Sequence, residues 1–173
     1  EDALAARFGR KHALLCSSGT MALYSAYFAL SLEPGDEVVC PTVTFHATAT
    51  PALHLGARVV LVDGEPDTGN VDIDALAAAI TPRTRAIATN AMWGHPVEQD
   101  AIRALCDHRG VAWIEDVSHA QLAQFKGRPV GRFGDMAVAS LQGAKLISGG
   151  EGGVLLTDSP SLYERAVLLG HPL

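Results

Sequence analysis

Four short apolar runs, separated by helical stretches, constrain the fold of this chain most strongly. They contain almost no alternation of polar and apolar residues and lie at 37–41, 58–63, 85–89 and 111–116. Strands that are buried on both faces have this composition, and they belong to parallel sheets covered by helices. The helical stretches between them, at 72–80 and 98–109, indicate right-handed βαβ units. The sequence therefore predicts an α/β fold with a mostly parallel sheet.

Further elements flank these units, and the pattern changes after Asp116. No long helix separates the last two predicted strands, so we expect that a helical βαβ crossover does not connect them. The additional predictions are strands at 12–16, 136–141 and 153–158, helical stretches at 20–31, 47–55 and after Ser159, and a polar hairpin at 124–131.

Charge and cysteine content exclude several classes of protein. The chain has 13 basic and 19 acidic residues, a net charge of −6, so nucleic acid is not an expected partner. Its three cysteines form no Cys-x-x-Cys pair, which argues against disulfides and a metal site and favours the cytoplasm. The uncharged run 21–31 is too short to span a membrane. The 173 residues suit one domain, and because they begin with Glu1 we expect a segment of a longer protein.

The segment CSSGTMAL (16–23) lies at a predicted strand-to-helix junction. Gly19 and Thr20 are expected at the helix N-terminus, where free backbone N–H groups and the helix dipole favour phosphate. The segment lacks the Gly-Lys-Ser/Thr of a P-loop and the Gly-x-Gly-x-x-Gly of a dinucleotide site. The alternative is a Ser/Thr helix cap without a ligand.

The segment IEDVSHA (114–120) follows a buried strand. Asp116 ends that strand, where ligands bind in open α/β sheets, and its carboxylate is suited to hold a protonated ring nitrogen. His119 is close enough in sequence to contact the same ligand. The alternative is an Asp helix cap followed by a packed histidine.

The segment SLQGAKLISGGEGG (140–153) contains Ser140 at a strand end and Lys145 in a glycine-bounded loop. A lysine enclosed in a domain core loses hydration, so its amine becomes a nucleophile. The alternative is a lysine on a flexible surface loop. Earlier in the chain, Phe45 follows a predicted strand and is placed to stack on a flat ring, unless it belongs to the core.

These four features describe one cofactor when they are taken together. A phosphate-binding helix terminus, a stacking aromatic ring, a carboxylate for a ring nitrogen and a lysine occur in this order on an α/β sheet. Pyridoxal 5′-phosphate requires a lysine that forms a Schiff base and an acidic partner for its pyridinium nitrogen. The sequence therefore predicts a pyridoxal-phosphate site.

The sequence resembles the DegT/DnrJ/EryC1/StrS family of sugar aminotransferases, of the fold type I class. The matching segments run in family order along nearly the whole chain and include PTVTFHATATPALHLGARVVLVD, NAMWGHPVEQDAI and KGRPVGRFGDMAVASLQGAK. The resemblance implies phosphate binding by Gly19, Thr20 and Ser140, and ring stacking by Phe45. It also implies that Asp116 is the pyridinium partner, that His119 lies beside the ring and that Lys145 is the Schiff-base lysine.

The resemblance also implies an architecture and an activity. The expected fold is the three-layer large domain with a mostly parallel, seven-stranded type of sheet, covering 1–173 without the small C-terminal domain. The expected reaction transfers an amino group from glutamate or glutamine to a keto-sugar or keto-cyclitol, in the biosynthesis of sugars, antibiotics or cell-surface glycans. The expected assembly is a homodimer with shared active sites.

Two departures from the family pattern keep the substrate and alternative activities open. Gln142, three residues before Lys145, resembles members that act on cyclitols or make aminohydroxybenzoate, and Trp93 stands where a smaller or different aromatic residue is common. The alternatives are a lyase or dehydratase, an aminohydroxybenzoate-type synthase, and a non-catalytic regulator that binds the cofactor. A nicotinamide-binding domain is disfavoured because its glycine pattern is absent.

Overall fold

The computed structural model describes residues 1–170, which contain one seven-stranded sheet and a separate two-stranded hairpin. Residues 171–173, the last three of the predicted domain, lie outside the described part. The strands of the large sheet are β1 (His12–Cys16), β2 (Glu37–Pro41), β3 (Arg58–Val62), β4 (Thr84–Asn90), β5 (Ala112–Asp116), β8 (Met136–Ser140) and β9 (Gly153–Thr157). The hairpin pairs β6 (Gln124–Phe125) with β7 (Arg128–Pro129), where the sequence predicts a polar hairpin.

The strand order brings the carboxyl ends of five strands to one edge of the sheet. The order is β1-β9-β8-β5-β4-β2-β3, in which β3, β2, β4, β5 and β8 run parallel and β9 is antiparallel to β8 and β1. Asp116 pairs in register with Asn90 on one side and with Val138 on the other. The predicted mostly parallel sheet is confirmed. Polar residues that end β4, β5 and β8 therefore share this edge.

Helices cover both faces of the sheet and form three layers with it. Because successive side chains of a strand point to opposite faces, neighbouring residues join different cores. The helices are α1 (Asp2–Phe8), α2 (Gly19–Ala29), α3 (Thr50–His54), α4 (Ile73–Ala79), α5 (Gln99–Arg109) and α6 (Pro160–Gly170). Ile114 packs in the cluster that contains α2 and α6 residues, whereas Trp113 packs in the cluster that contains α4 and α5 residues. None of these helices, within residues 1–170, is long and apolar enough to cross a membrane.

Three elements differ from the sequence-based expectation. The prediction of burial on both faces is wrong for β3, where Arg58 and Leu61 are exposed, because β3 is the edge strand and pairs only with β2. The helix α1 was not predicted. The predicted helical stretch 47–55 is divided into a 3-10 turn, His46–Thr48, and α3. Pro51 has no backbone N–H to donate and is tolerated only in the first turn of a helix, so α3 begins at Thr50, with Pro51 in its first turn.

Candidate active site

All seven predicted site residues line one cavity of about 380 Å³ at the carboxyl edge of the parallel strands. Ligands of open α/β sheets bind at this edge. The cavity lies between the start of α2 and the segments that follow β2, β4, β5 and β8. The seven residues are Gly19, Thr20, Phe45, Asp116, His119, Ser140 and Lys145.

The N-terminus of α2 forms one end of the cavity. Ser18 caps the helix, and its hydroxyl accepts a hydrogen bond from the Met21 N–H at 3.1 Å. Gly19 is the first helical residue, and a Cβ added there would lie 2.9 Å from the Ser140 Cβ. The start of α2 and the end of β8 are therefore in direct contact, and only glycine allows it. Ser18 satisfies one N–H of the first turn, so the predicted helix cap and a site for an anion are compatible here.

Asp116 is held rigidly at the centre of the cavity edge. It is the last residue of β5 and is only 8% exposed. Its Oδ2 accepts a hydrogen bond from the Thr48 hydroxyl at 3.0 Å, and its Oδ1 accepts one from the Ser118 N–H at 3.0 Å. Thr48 is fully buried and in turn accepts a hydrogen bond from the Thr44 hydroxyl at 2.8 Å. This chain of hydroxyl groups fixes the orientation of the carboxylate.

The loop that carries Lys145 is anchored by a buried glutamine. The Gln121 amide donates hydrogen bonds to the carbonyls of Ser140, at 2.6 Å, and Ile147, at 3.2 Å. Its Oε1 accepts a hydrogen bond from the Ile147 N–H at 2.6 Å. Ser140 is held a second time, because its N–H donates to the Ser118 hydroxyl at 2.9 Å. The two ends of the loop around Lys145 therefore have fixed positions.

Lys145 lies at the edge of the cavity. The prediction that it is enclosed in the domain core is wrong, because the side chain is half-buried on a short turn in which its N–H donates to the Gln142 carbonyl at 2.9 Å. Among residues 1–170 its ammonium group forms no ion pair with a carboxylate. Lys145 is one of the residues that line the cavity.

His119 and Phe45 form exposed parts of the cavity wall. Partial burial lowers the pKa of His119, the nearby positive charge of Lys145 lowers it further, and Asp116 opposes the shift. The shift favours the neutral imidazole near pH 7. Phe45 is 57% exposed, and its ring centroid lies 4.3 Å from that of His46. The two alternatives, a packed His119 and a core Phe45, are wrong because both side chains are exposed.

Several residues of the site were not predicted. Thr48 and Gln121 contact partners that are 68 and 19 to 26 residues away in sequence, so no local pattern identifies them. Asn90 could have been predicted as a site residue from the sequence, because it is a polar residue at the end of β4, as Asp116 is at the end of β5. The two residues are paired in register. Its amide donates to the Val43 carbonyl at 3.3 Å and closes the cavity wall between β2 and β4.

Residues 1–171 match the family described as the DegT/DnrJ/EryC1/StrS aminotransferase family. The chain belongs to this family. The predicted family resemblance is thus confirmed for nearly the whole chain, and the nicotinamide-binding alternative is wrong because the matched family is one of aminotransferases. Within residues 1–170, no group of three or more His, Cys, Asp or Glu side chains is arranged to hold a metal ion.

Two relatives of this aminotransferase-family chain carry the names of a sugar enzyme and a cyclitol enzyme. It is 40% identical to the GDP-perosamine synthase of Caulobacter vibrioides, over 98% of this chain and 46% of that protein. It is 36% identical to the putative L-glutamine:3-amino-2,3-dideoxy-scyllo-inosose aminotransferase of Streptomyces kanamyceticus, over 98% of this chain and 41% of that protein.

A solved structure with the same fold contains the cofactor. It is the E. coli GDP-4-keto-6-deoxy-D-mannose-3-dehydratase with bound hydrated PLP, and its TM-score is 0.90 at 34% identity. The match covers 98% of this chain and 44% of that chain. The family chain described here therefore spans less than half the length of each of these three proteins.

Proposed function

We propose that this chain is the cofactor-binding part of a pyridoxal-phosphate-dependent aminotransferase. The proposed reaction moves an amino group from glutamate or glutamine to a keto-sugar or keto-cyclitol. The observation that carries the proposal is the convergence of Asp116, Lys145 and the start of α2 on one cavity. The names of the sugar and cyclitol relatives support the substrate class, and the PLP-bound dehydratase supports the cofactor.

The residues of the cavity fit this cofactor in their chemistry. The first turn of α2 and the Ser140 hydroxyl offer donors for a phosphate, and the close contact between Gly19 and Ser140 brings these donors together. Asp116 has protein donors on both oxygens, yet it lines the cavity, so it can still accept a hydrogen bond from a ring N–H. Phe45 presents an exposed ring that can cover one face of a flat cofactor.

Lys145 and Asp116 have complementary roles in the proposed reaction. When bound, pyridoxal phosphate supplies a ring that accepts the electron pair released at the carbon next to the transferred nitrogen. Asp116 would hold a proton on the ring nitrogen. The Lys145 amine would hold the cofactor covalently, and when free it would serve as the base that carries a proton at the donor's α-carbon. His119 lines the cavity with Lys145, and its lowered pKa favours the neutral form, which adds no second positive charge.

We also propose that the full-length enzyme is a cytoplasmic homodimer with shared active sites. Three large apolar side chains next to cavity-lining residues are exposed: Met21, Val43 and Leu146. Exposed apolar groups of this kind are typical of surfaces that a partner covers. The free thiols of Cys16, Cys40 and Cys106 are in keeping with a reducing compartment. Sedimentation of the full-length protein should show a dimer, and a monomer with full activity would contradict the shared site.

An absorbance titration of the full-length protein tests the proposed reaction. Glutamate or glutamine should change the spectrum of the bound cofactor, and a keto-sugar or keto-cyclitol should restore it. Borohydride reduction and peptide mapping should place the cofactor on Lys145, and Lys145→Ala should abolish the absorbance of the covalently bound form. Lys126→Ala is the control, because its ammonium is exposed and paired with Asp100 at 2.7 Å. Labelling of Lys126 instead of Lys145 would contradict the assignment.

A dehydratase is the second candidate, because one structural relative is named as a 3-dehydratase. The lysine in the cavity favours amino transfer, since an amine there can both bind the cofactor and carry the proton. The two activities differ in their products. Amination of the keto substrate should consume the amino donor in equal amount, whereas loss of a hydroxyl group without net amination would support the dehydratase.

A further inference from the structure

Tyr27 is a fully buried tyrosine in the interior of α2, the helix whose first residues line the cavity. The other two tyrosines, Tyr24 and Tyr163, are half-buried. Core positions of this kind usually carry a side chain without a polar atom, because a buried hydroxyl costs free energy unless it forms a hydrogen bond. The partner of the Tyr27 hydroxyl therefore shows what its oxygen contributes.

The Tyr27 hydroxyl donates a hydrogen bond to the Thr48 carbonyl at 2.6 Å. The Cys40 thiol is a second and weaker donor, since its Sγ lies 3.9 Å from the same carbonyl oxygen. Thr48 is fully buried, so water does not reach this carbonyl and the protein must supply its partners. Burial also raises the pKa of Tyr27 well above its ordinary value, so the phenol keeps its proton and remains a donor.

The other polar groups of Thr48 bind two residues that line the cavity. Its hydroxyl donates to the Asp116 Oδ2 at 3.0 Å, and its N–H donates to the Phe45 carbonyl at 2.9 Å. Thr48 thus contacts both the proposed partner of the ring nitrogen and the proposed stacking residue. It ends a 3-10 turn of three residues, and so short a turn has few hydrogen bonds of its own. A bond from outside the turn therefore limits how far Thr48 can move.

The helix α2 is a firm anchor for this turn because packing fixes it to the sheet. Tyr27 belongs to the same apolar cluster as Ile114 of β5 and Val138 of β8. At its first residue, Gly19, the helix is in close contact with Ser140 at the end of β8. The bond from Tyr27 therefore fixes the 3-10 turn relative to the strands that carry the other site residues.

We infer that Tyr27 is a positioning residue for the cofactor ring, which acts through the Thr48 carbonyl to keep the Thr48 hydroxyl directed at Asp116. The same bond holds the turn that follows Phe45. Tyr27 is not among the described residues that line the cavity, so its effect on the cofactor is indirect. This inference rests on the proposed aminotransferase function, and it gives the interior of α2 a role in addition to the phosphate-binding role of its first turn.

Hydrogen exchange in the full-length protein without cofactor tests the anchor independently of activity. Tyr27→Phe removes only the hydroxyl, so the Thr48 and Ala49 N–H groups of the turn should exchange about fivefold faster, while the amides of β5 keep their protection. Tyr163→Phe is the matched control. It removes the same oxygen from a ring that stacks on His12, at the end of β1 farther from the cavity, and should leave the turn unchanged.

Two measurements on the full-length holoenzyme test whether the anchor reaches the cofactor. Tyr27→Phe should slow the donor half-reaction about fivefold. It should also shift the NMR signal of an isotope-labelled ring nitrogen in the same direction as Asp116→Asn does, and by less. Because Tyr27 acts through Thr48, adding Tyr27→Phe to Thr48→Val should slow the half-reaction by less than about twofold further.

Three outcomes would overturn the inference. One is wild-type exchange at Thr48 and Ala49 in Tyr27→Phe. Another is a loss of protection spread evenly over the sheet with an unmoved ring-nitrogen signal, which would assign the Tyr27 hydroxyl to core stability alone. The third is an equal slowing by Tyr27→Phe in the wild-type and Thr48→Val backgrounds, which would exclude Thr48 as the intermediary. A wild-type holoenzyme that responds to no amino donor would instead reject the aminotransferase function, and the exchange data would still decide whether Tyr27 holds the turn.

Discussion

Two consecutive carboxylates at the end of β5 have opposite environments. Glu115 and Asp116 are both buried, at 2% and 8% exposure, and they point to opposite faces of the sheet. Glu115 accepts hydrogen bonds from the backbone N–H groups of Gly131, Phe133 and Gly134 at 2.9, 2.7 and 2.6 Å. Asp116 accepts one hydroxyl and one N–H, and it lines the cavity.

Arg10 completes the environment of Glu115. Its Nη2 lies 3.6 Å from the Glu115 Oε1, and its guanidinium donates to the carbonyls of Gly131, at 2.7 Å, and Gly134, at 2.6 Å. The protein itself thus supplies partners for Glu115 and fixes the turn before β8. The comparison shows that burial alone does not identify a functional carboxylate. The distinction is whether hydrogen-bonding capacity is directed into the protein or toward a cavity.

The largest effect is expected on the cavity side, for Asp116→Asn. The amide retains an acceptor for Thr48 or Ser118, but it cannot stabilise a positively charged ring nitrogen. The donor half-reaction of the full-length enzyme should slow by two to three powers of ten, about 3–4 kcal/mol of activation free energy. The thermal unfolding midpoint should change little. Stopped-flow absorbance measures the rate, and a near-normal rate would contradict the role proposed for Asp116.

Glu115→Gln should produce the opposite result. The amide offers one acceptor oxygen, and its NH₂ group faces backbone N–H donors, so the free energy of unfolding should fall by about 3 kcal/mol. Urea denaturation measures this loss. The folded fraction should keep a donor half-reaction rate close to that of the wild type. Glu164→Gln, at an exposed carboxylate of α6, is the control for the charge change. A stable but inactive Glu115→Gln enzyme would remove the contrast between the two carboxylates.

Thr48→Val tests whether the hydroxyl chain behind Asp116 affects the reaction. The substitution removes the donor 3.0 Å from the Asp116 Oδ2 while nearly preserving the side-chain shape. The donor half-reaction should slow about tenfold, as expected for a lost buried hydrogen bond that orients a catalytic group. Thr48→Ser should restore the rate. Thr42→Val removes a hydroxyl bonded to the Val62 carbonyl at 3.1 Å and should leave the rate unchanged.

The smallest effect is expected at Asp158, beside Arg10 on the structural side. Its carboxylate accepts hydrogen bonds from the Lys11 N–H at 2.8 Å and from the Arg10 Nη1 at 3.1 Å. Burial alone would raise the pKa of Asp158, but these two donors outweigh it and lower the pKa. Because the carboxylate is partly exposed, Asp158→Asn should cost about 1 kcal/mol or less of unfolding free energy near neutral pH.

The pH dependence of that effect has a definite sign. A lowered pKa means that the unfolded chain binds protons before the folded chain does as the pH falls. The contribution of Asp158 is therefore present above its ordinary pKa of 3.8 and is lost as acid titrates the folded state. Denaturation of wild type and Asp158→Asn should converge in acid. A difference that grows as the pH falls would contradict the proposed ion pair.

Much of the fold and the position of the site could be predicted from the sequence. Apolar runs identify the strands of the sheet, and the bounds of β1 and β2 agree with the predicted 12–16 and 37–41. A polar residue that ends such a run, as Asp116 and Ser140 do, must lie at the carboxyl edge because parallel strands align there. These are local patterns of burial, so the amino-acid order alone determines them.

Only the tertiary structure decided how the site is held and which surfaces are exposed. The exposure of β3 depends on its place at the sheet edge, and the roles of Thr48 and Gln121 depend on partners distant in sequence. The sequence also does not distinguish Glu115 from Asp116, since both are acidic residues at the end of one strand. Their environments differ because adjacent side chains point to opposite faces, where one meets backbone donors and the other meets a cavity.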